Sequence, residues 1–210
     1  MATQLIIILL LFVSCQKNNY APSKAASEYF PNTIGDYWEY SVYDSSMIPT
    51  HPRLPRNYPV KVSIIGTKQL VDNKDAVVWQ YSYPDGNDLR YIRIVGDTVK
   101  IYDTIYSRTI RDLQFPRQIF IIPFKDSNSW QSNLLISDIY STTFLLNAVV
   151  QNKSYDSVFK IYEHYIGPNI DNSDTYWFKP NIGRIQIYYN DYNLAPKTIQ
   201  LWQLKKYYLK

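Results

Sequence analysis

The only cysteine of the 210-residue chain, Cys15, closes the run LIIILLLFVSC, in which Leu5 to Val13 are nine consecutive apolar residues. A thiol directly after such a run suits acylation by a diacylglycerol group. Each buried methylene contributes about 0.8 kcal/mol, so two or three acyl chains such as palmitate hold a protein on a membrane where one does not. Nine residues are too few to cross a hydrocarbon core, which takes about 20, and they fit the apolar centre of a secretory signal. Ser14 supplies a small residue at the junction, and the polar stretch QKNNYAPSKAAS follows. An exported chain whose one thiol is acylated has no disulfide to form.

Beyond Cys15 the chain is poor in catalytic side chains. His51 lies in a proline-rich loop and His164 in a predicted strand, and neither has the partner spacing of a zinc site. No Gly-x-Ser-x-Gly elbow is present. A glycosidase needs two opposed carboxylates. Glu28, Glu39 and Glu163 are the only glutamates, beside fifteen aspartates. Solvated surface positions are expected for Glu39 and Glu163, and Glu163 and His164, as strand neighbours, cannot share a face. The segment NIDNSDT (169–175) alternates Asn169, Asp171 and Ser173 like a calcium loop, but lacks its glycine and its closing glutamate and reads as a turn. No metal, cofactor or enzymatic activity is expected.

Aromatic rings are abundant instead: 21 tyrosines, five tryptophans and eight phenylalanines. Such residues favour half-buried pleated surfaces. The clusters YWF (176–178) and YYNDY (188–192) cannot be buried on both faces of one sheet, so some rings must point to solvent, a cleft or a partner. Tyr176, Trp177, Tyr188, Tyr189 and Tyr192 are therefore candidate ligand contacts, with a glycan or an envelope protein as the partner that rings with polar handles fit. The net charge of +4 is spread without long blocks of either sign, which gives nucleic-acid binding no support.

The elements that position these residues read as β throughout. YPVKVSIIGTKQL, AVVWQYSY, DLRYIRIV and TVKIYDTIY are four strands joined by VDNKD, PDGN and the two-residue turn Gly96-Asp97, where glycine at the first position predicts type II′ geometry. TTFLLNAVVQ, YDSVFKIYEHYI, DTYWFKP, GRIQIYYN and KTIQLWQLKKYYL continue the pattern, whereas residues 127–140 carry the weakest signal. IPTHPRLPRNYP, with prolines at 49, 52, 55 and 59, reads as a stiff connector between the first two strands. A faint echo places a tryptophan seven residues after a proline twice, at Pro31/Trp38 and Pro123/Trp130. The fold class is all-β, an antiparallel meander forming a curved sheet or half-open barrel. Its organisation is a signal peptide (1–14), a flexible lipid-anchored linker (15–28) and a single β domain (29–210).

FVSC resembles the lipobox of bacterial lipoproteins. YFPNTIGDYWEY and YWFKPNIGRIQIYY are similar to paired elements of small Bacteroidetes-type outer-membrane lipoproteins of unassigned function, in which a Pro-x-x-x-Gly-x-x-Trp-x-Tyr opening and a late glycine-containing strand bracket a β domain. The resemblance implies an exported antiparallel β protein held in the outer membrane by its N-terminal lipid. The acidic cluster that follows the acylated cysteine in surface-exported members is absent, so a periplasm-facing position is expected, with the cell surface as the alternative. The role expected is a binding or structural module of the envelope. The alternatives are a small secreted hydrolase using carboxylates and a carrier of an apolar ligand in a curled sheet.

Overall fold

The computed structural model describes residues 24–45, 56–103, 113, 115–133, 137–167, 170–191 and 198–210. Twelve strands form one antiparallel sheet: β1 (Tyr37–Asp44), β2 (Arg56–Gln69), β3 (Asp75–Tyr83), β4 (Gly86–Val95), β5 (Thr98–Asp103) and β6 (Gln118–Ile121), then β7 (Ser129–Asn133), β8 (Ser137–Val150), β9 (Lys153–Gly167), β10 (Ile170–Lys179), β11 (Gly183–Asp191) and β12 (Thr198–Tyr208). The spatial order is β6-β5-β4-β3-β2-β1-β12-β11-β10-β9-β8-β7. It is a meander whose last strand pairs with its first, so the sheet curls almost to a barrel with one seam, between β6 and β7. The all-β class and the half-open barrel are as the sequence indicates.

Alternation decides which side chains fill the barrel. Trp38, Tyr40, Val42 and Asp44 of β1 are buried, as are Val60, Val62 and Ile64 of β2. The register places Trp38 opposite Val62 and Tyr40 opposite Val60. Phe120, Phe124, Tyr140, Ile161, Tyr176 and Phe178 complete a continuous interior. Interiors of small barrels are filled by side chains in this way.

A six-residue helix, α1 (Lys24–Tyr29), stands at one end. Ala26, Tyr29 and Phe30 are buried there, with the Phe30 ring 5.1 Å from Phe178 and 5.5 Å from Phe120. Residues 24–28, expected to end the linker, thus begin the folded unit. Gly96 has φ 56° and Asp97 is not among the positive-φ residues, which is the type II′ turn read from the sequence. The segment expected as a turn at 169–175 is largely strand, since β10 runs from Ile170. Its polar residues are tolerated because Asn172 and Asp174 line a polar recess rather than the apolar core. The weakly patterned region supplies β7 and the start of β8. The Trp echo has a shared structural outcome. The Trp38 indole donates to the Ile182 carbonyl (2.6 Å) and the Trp130 indole to the Ile119 carbonyl (2.9 Å).

Candidate functional site

The end of the barrel opposite α1 is open. Strand ends Asp44, Tyr83, Gly86, Asp103, Gln118 and Asn190 surround a cup of about 610 Å³ with a mainly polar lining. The sequence builds it by a recurring device. On several strands the inward set is apolar until its last position before the mouth, where it turns polar or charged. Trp38, Tyr40 and Val42 lead to Asp44; Val99 and Ile101 lead to Asp103; Phe178 and Tyr176 lead to Asp174. An acid is affordable there because partners and water replace its hydration.

Two walls are pre-built around such acids. Asp44 accepts from the Tyr58 hydroxyl (3.2 Å) and the Gln200 amide (3.3 Å), and Arg56 Nη2 lies 3.7 Å away. Burial, then the Asp44 charge, pushes Tyr58 up to about 12. Asp103 sits between Arg90 Nε (3.6 Å) and Arg117 Nη1 (3.9 Å). The Arg90 guanidinium also lies 4.3 Å over the Tyr81 ring. Asn190 lines the cup with its Oδ1 buried and without a hydrogen-bond donor among the described residues.

Beneath the cup lies a buried acid network. Glu163, fully inaccessible, accepts from the Tyr140 hydroxyl, from Gln118 Nε2 (2.8 Å) and from the Tyr176 hydroxyl (2.8 Å). Gln118 Nε2 also donates to the Tyr176 oxygen (2.5 Å), and Tyr176 lies 3.1 Å from Asp174 Oδ2. Asp174 Oδ2 also accepts from the Tyr165 hydroxyl (3.1 Å), so Tyr176 bridges the two carboxyls. Burial, then the Glu163 charge, pushes Asp174 up to about 7. The same two causes push Asp138 up to about 7, and burial raises Glu163 itself. Asp138 accepts from Ser132 Oγ (3.0 Å), while its other oxygen is buried without a partner among the described residues. These carboxyls hold protons at a pH where surface acids do not.

The expected site residues scatter. Tyr176 is wholly buried and its hydroxyl is spent on Glu163, so it belongs to the network under the cup. Tyr189 lines the cup, its ring edge-on to Trp202 at 6.0 Å. Trp177 is half-buried 5.7 Å from Lys160 Nζ, and Tyr188 is half-buried on the other face of β11 from Tyr189. Tyr192, His51 and Cys15 lie outside the described residues. The surface position expected for Glu163 is overturned: it is at the centre of the barrel because three donors converge on it. Glu39 is at the surface, 3.6 Å from Lys206. His164 lies on the face opposite Glu163, beside Tyr162. Asp44, Arg90, Asp103, Asp174 and Asn190 were not legible as site residues, although the polar endings of inward apolar sets were their signal.

Among the described residues no cluster of metal-ligating side chains occurs, and no helix is long and apolar enough to cross a membrane. No protein-family model matches the chain, and no curated protein does so. Two solved structures are similar to it. A presumed exported protein with a YmcC-like fold from Bacteroides fragilis is 10% identical, with a TM-score of 0.46 and coverage of 86% of this chain and 98% of its own. A presumed lipoprotein from Parabacteroides distasonis is 12% identical, with a TM-score of 0.39 and the same coverages of 86% and 98%.

Proposed function

We propose that this chain is a lipid-anchored envelope module of the outer membrane, facing the periplasm, that binds a hydroxyl-rich ligand, a glycan, in the cup. The cup carries the reading. Its volume is in the range of small-molecule sites, but its lining alternates carboxylates, guanidinium groups and amides with the rings of Tyr58, Tyr83 and Tyr189. A sugar offers donors to Asn190 Oδ1 and to the carboxylates, acceptors to Arg56, and an apolar face to the tyrosines. An apolar cargo would strip water from those polar groups without offering hydrogen bonds in its place, so the lining favours a polar ligand over the carrier alternative. The leader ending at Cys15 supports the anchor.

A glycan array probed with the full-length protein tests the cup. Tyr58→Ala and Asn190→Leu should each weaken capture while the circular dichroism spectrum stays unchanged. Capture that survives both variants would place the ligand elsewhere. Mass spectrometry of membrane-extracted protein tests the anchor: an acylated N-terminal Cys15 peptide is expected, and an intact Met1 with a free thiol would remove it.

One observation favours a second reading. Asp174 lines the cup, and burial, then the Glu163 charge, pushes its carboxyl up to about 7, the range that suits a general acid. Turnover of a glycan abolished by Asp174→Asn with binding retained would make the module a hydrolase.

A further inference from the structure

The barrel is chemically asymmetric along its axis, and the end opposite the cup has its own character. The Tyr37 and Tyr208 rings stack at 5.8 Å on the outer face, with Lys61 Nζ 4.3 Å and Lys206 Nζ 5.7 Å from the Tyr37 ring centre. Close by, the β8–β9 hairpin reaches across to β12, where Lys153 Nζ donates to the Lys205 carbonyl (3.1 Å). That hairpin carries Leu146 and Val149, which at 75% and 69% are the most exposed large hydrophobics among the described residues. Of the acids at this end, Glu39 is paired with Lys206, the exposed Asp156 of the hairpin is paired with Lys179 (3.1 Å), and Asp36 is buried and takes the main-chain N–H groups of Thr33 and Lys210.

Exposed aliphatic side chains, paired tyrosines and lysines with long apolar stems are the groups that settle at a bilayer interface. The positive charge matches an anionic headgroup layer. Chain connectivity points the same way. Residues 16–23 separate Cys15 from α1, which stands at this end of the barrel. Eight residues reach at most about 30 Å, which tethers the lipid within that distance of α1.

We infer that the α1 end of the barrel is a membrane-docking face, seated on anionic lipid through Lys61, Lys205 and Lys206 with Leu146 and Val149 dipping into the interface, so that the cup is held away from the bilayer. This rests on the anchored-envelope reading and is independent of what the cup binds. A protein partner on this face is the competing occupant.

Lysine acetylation of the full-length protein on vesicles, read residue by residue by mass spectrometry, tests it. On phosphatidylcholine vesicles containing phosphatidylglycerol, Lys61, Lys205 and Lys206 should react about fivefold more slowly or less than on pure phosphatidylcholine in high salt. A reporter lysine introduced as Tyr43→Lys, on the outer face of β1 near the cup, should react equally on both. Leu146→Ser together with Val149→Ser should restore part of the reactivity, since both side chains are exposed and their loss spares the core. Failure of the chain to float with vesicles would remove the anchor and this face together. Flotation with equal acetylation on both lipids would overturn the docking face alone and leave it to a protein partner.

Discussion

The indole N–H of Trp130 donates to the main-chain carbonyl of Ile119 at 2.9 Å, joining the two edge strands, which do not pair with each other. Ile119 belongs to β6 and Trp130 to β7, the two edges of a twelve-stranded sheet. The Trp130 ring lies nearly parallel to Tyr140, at 5.0 Å and 4°, and is stacked on Phe124 at 6.4 Å. Gln118 crosses the interior from the same edge to Glu163 and Tyr176. The seam is therefore bridged here by side chains rather than by a ladder, which helps to cover edges that would otherwise template association.

Replacing Trp130 should separate its two roles. Trp130→Phe keeps a ring against Tyr140 and loses one hydrogen bond, and should cost about 1 kcal/mol. Trp130→Ala removes the stack as well and should cost about 3–5 kcal/mol, with faster amide exchange in β6 and β7 and a greater tendency to oligomerise. Urea unfolding measures the first pair of values. Equal losses in the two variants would show that the ring contributes nothing to the seam.

The buried carboxyls set a pH dependence whose sign is opposite to that of salt-bridged acids. Asp174 and Asp138 are each pushed up to about 7, by burial and then by the Glu163 charge. Their unfolded values lie near 4. Between these limits the folded chain binds more protons at these two groups than the unfolded one, so their contribution to stability is full below about pH 4 and is lost as pH rises through about 7. The urea midpoint should be higher at pH 5 than at pH 8. Asp174→Asn should flatten this slope, because the amide cannot ionise. A midpoint that rises from pH 5 to pH 8 would mean that these groups are charged in the fold.

The parts of the fold legible in the sequence are those written in alternation and turn chemistry. Val60, Val62 and Ile64 against Lys61 and Ser63 marked β2, and Gly96-Asp97 marked the β4–β5 hairpin. β6 was not legible because its four residues are too short for alternation, and its place in the sheet is fixed by Val99, Ile101 and the distant Glu163. The cup was hidden for a different reason. Its members come from strands far apart in sequence, such as Asp44, Asp103 and Asn190, and only closure of the meander brings them together. Aromatic abundance pointed to 176–192, yet of that cluster Tyr189 reaches the cup while Tyr176 is spent beneath it.

Two glycines with open space around them should respond differently to a side chain. Nothing lies within 4 Å of a Cβ built at either Gly66 or Gly96, but only Gly96 has positive φ, at 56°. Gly96→Val should therefore cost about 1 kcal/mol or more from backbone strain alone. Gly66→Ala, at the β2 bulge opposite Val78, should be neutral or stabilising by up to about 1 kcal/mol, because it restricts the unfolded chain. Thermal or urea unfolding of the two variants, measured side by side, checks the contrast. Equal effects would mean that the β4–β5 turn is not type II′.

Arg184 gives the most counter-intuitive expectation. Its side chain is buried inside the barrel, and none of its three guanidinium nitrogens has a hydrogen-bond partner among the described residues. It lies instead 5.1 Å from the Tyr176 ring centre and 5.5–5.7 Å from those of Phe30, Phe120 and Phe178. Each ring returns about 0.5–2 kcal/mol to a cation, while an unpaired buried charge costs several kcal/mol of lost hydration. A methionine of similar length would keep the ring contacts through its polarisable sulfur and lose the charge. Arg184→Met should therefore raise stability at neutral pH, by about 1–4 kcal/mol on the precedent of buried ionic groups replaced by apolar ones. Arg184→Ala should not, because it empties a volume enclosed by four rings. A loss of stability in Arg184→Met as large as that in Arg184→Ala would show that the aromatic enclosure holds the charge at a net gain, and that the guanidinium is the counter-charge of the acids beneath the cup.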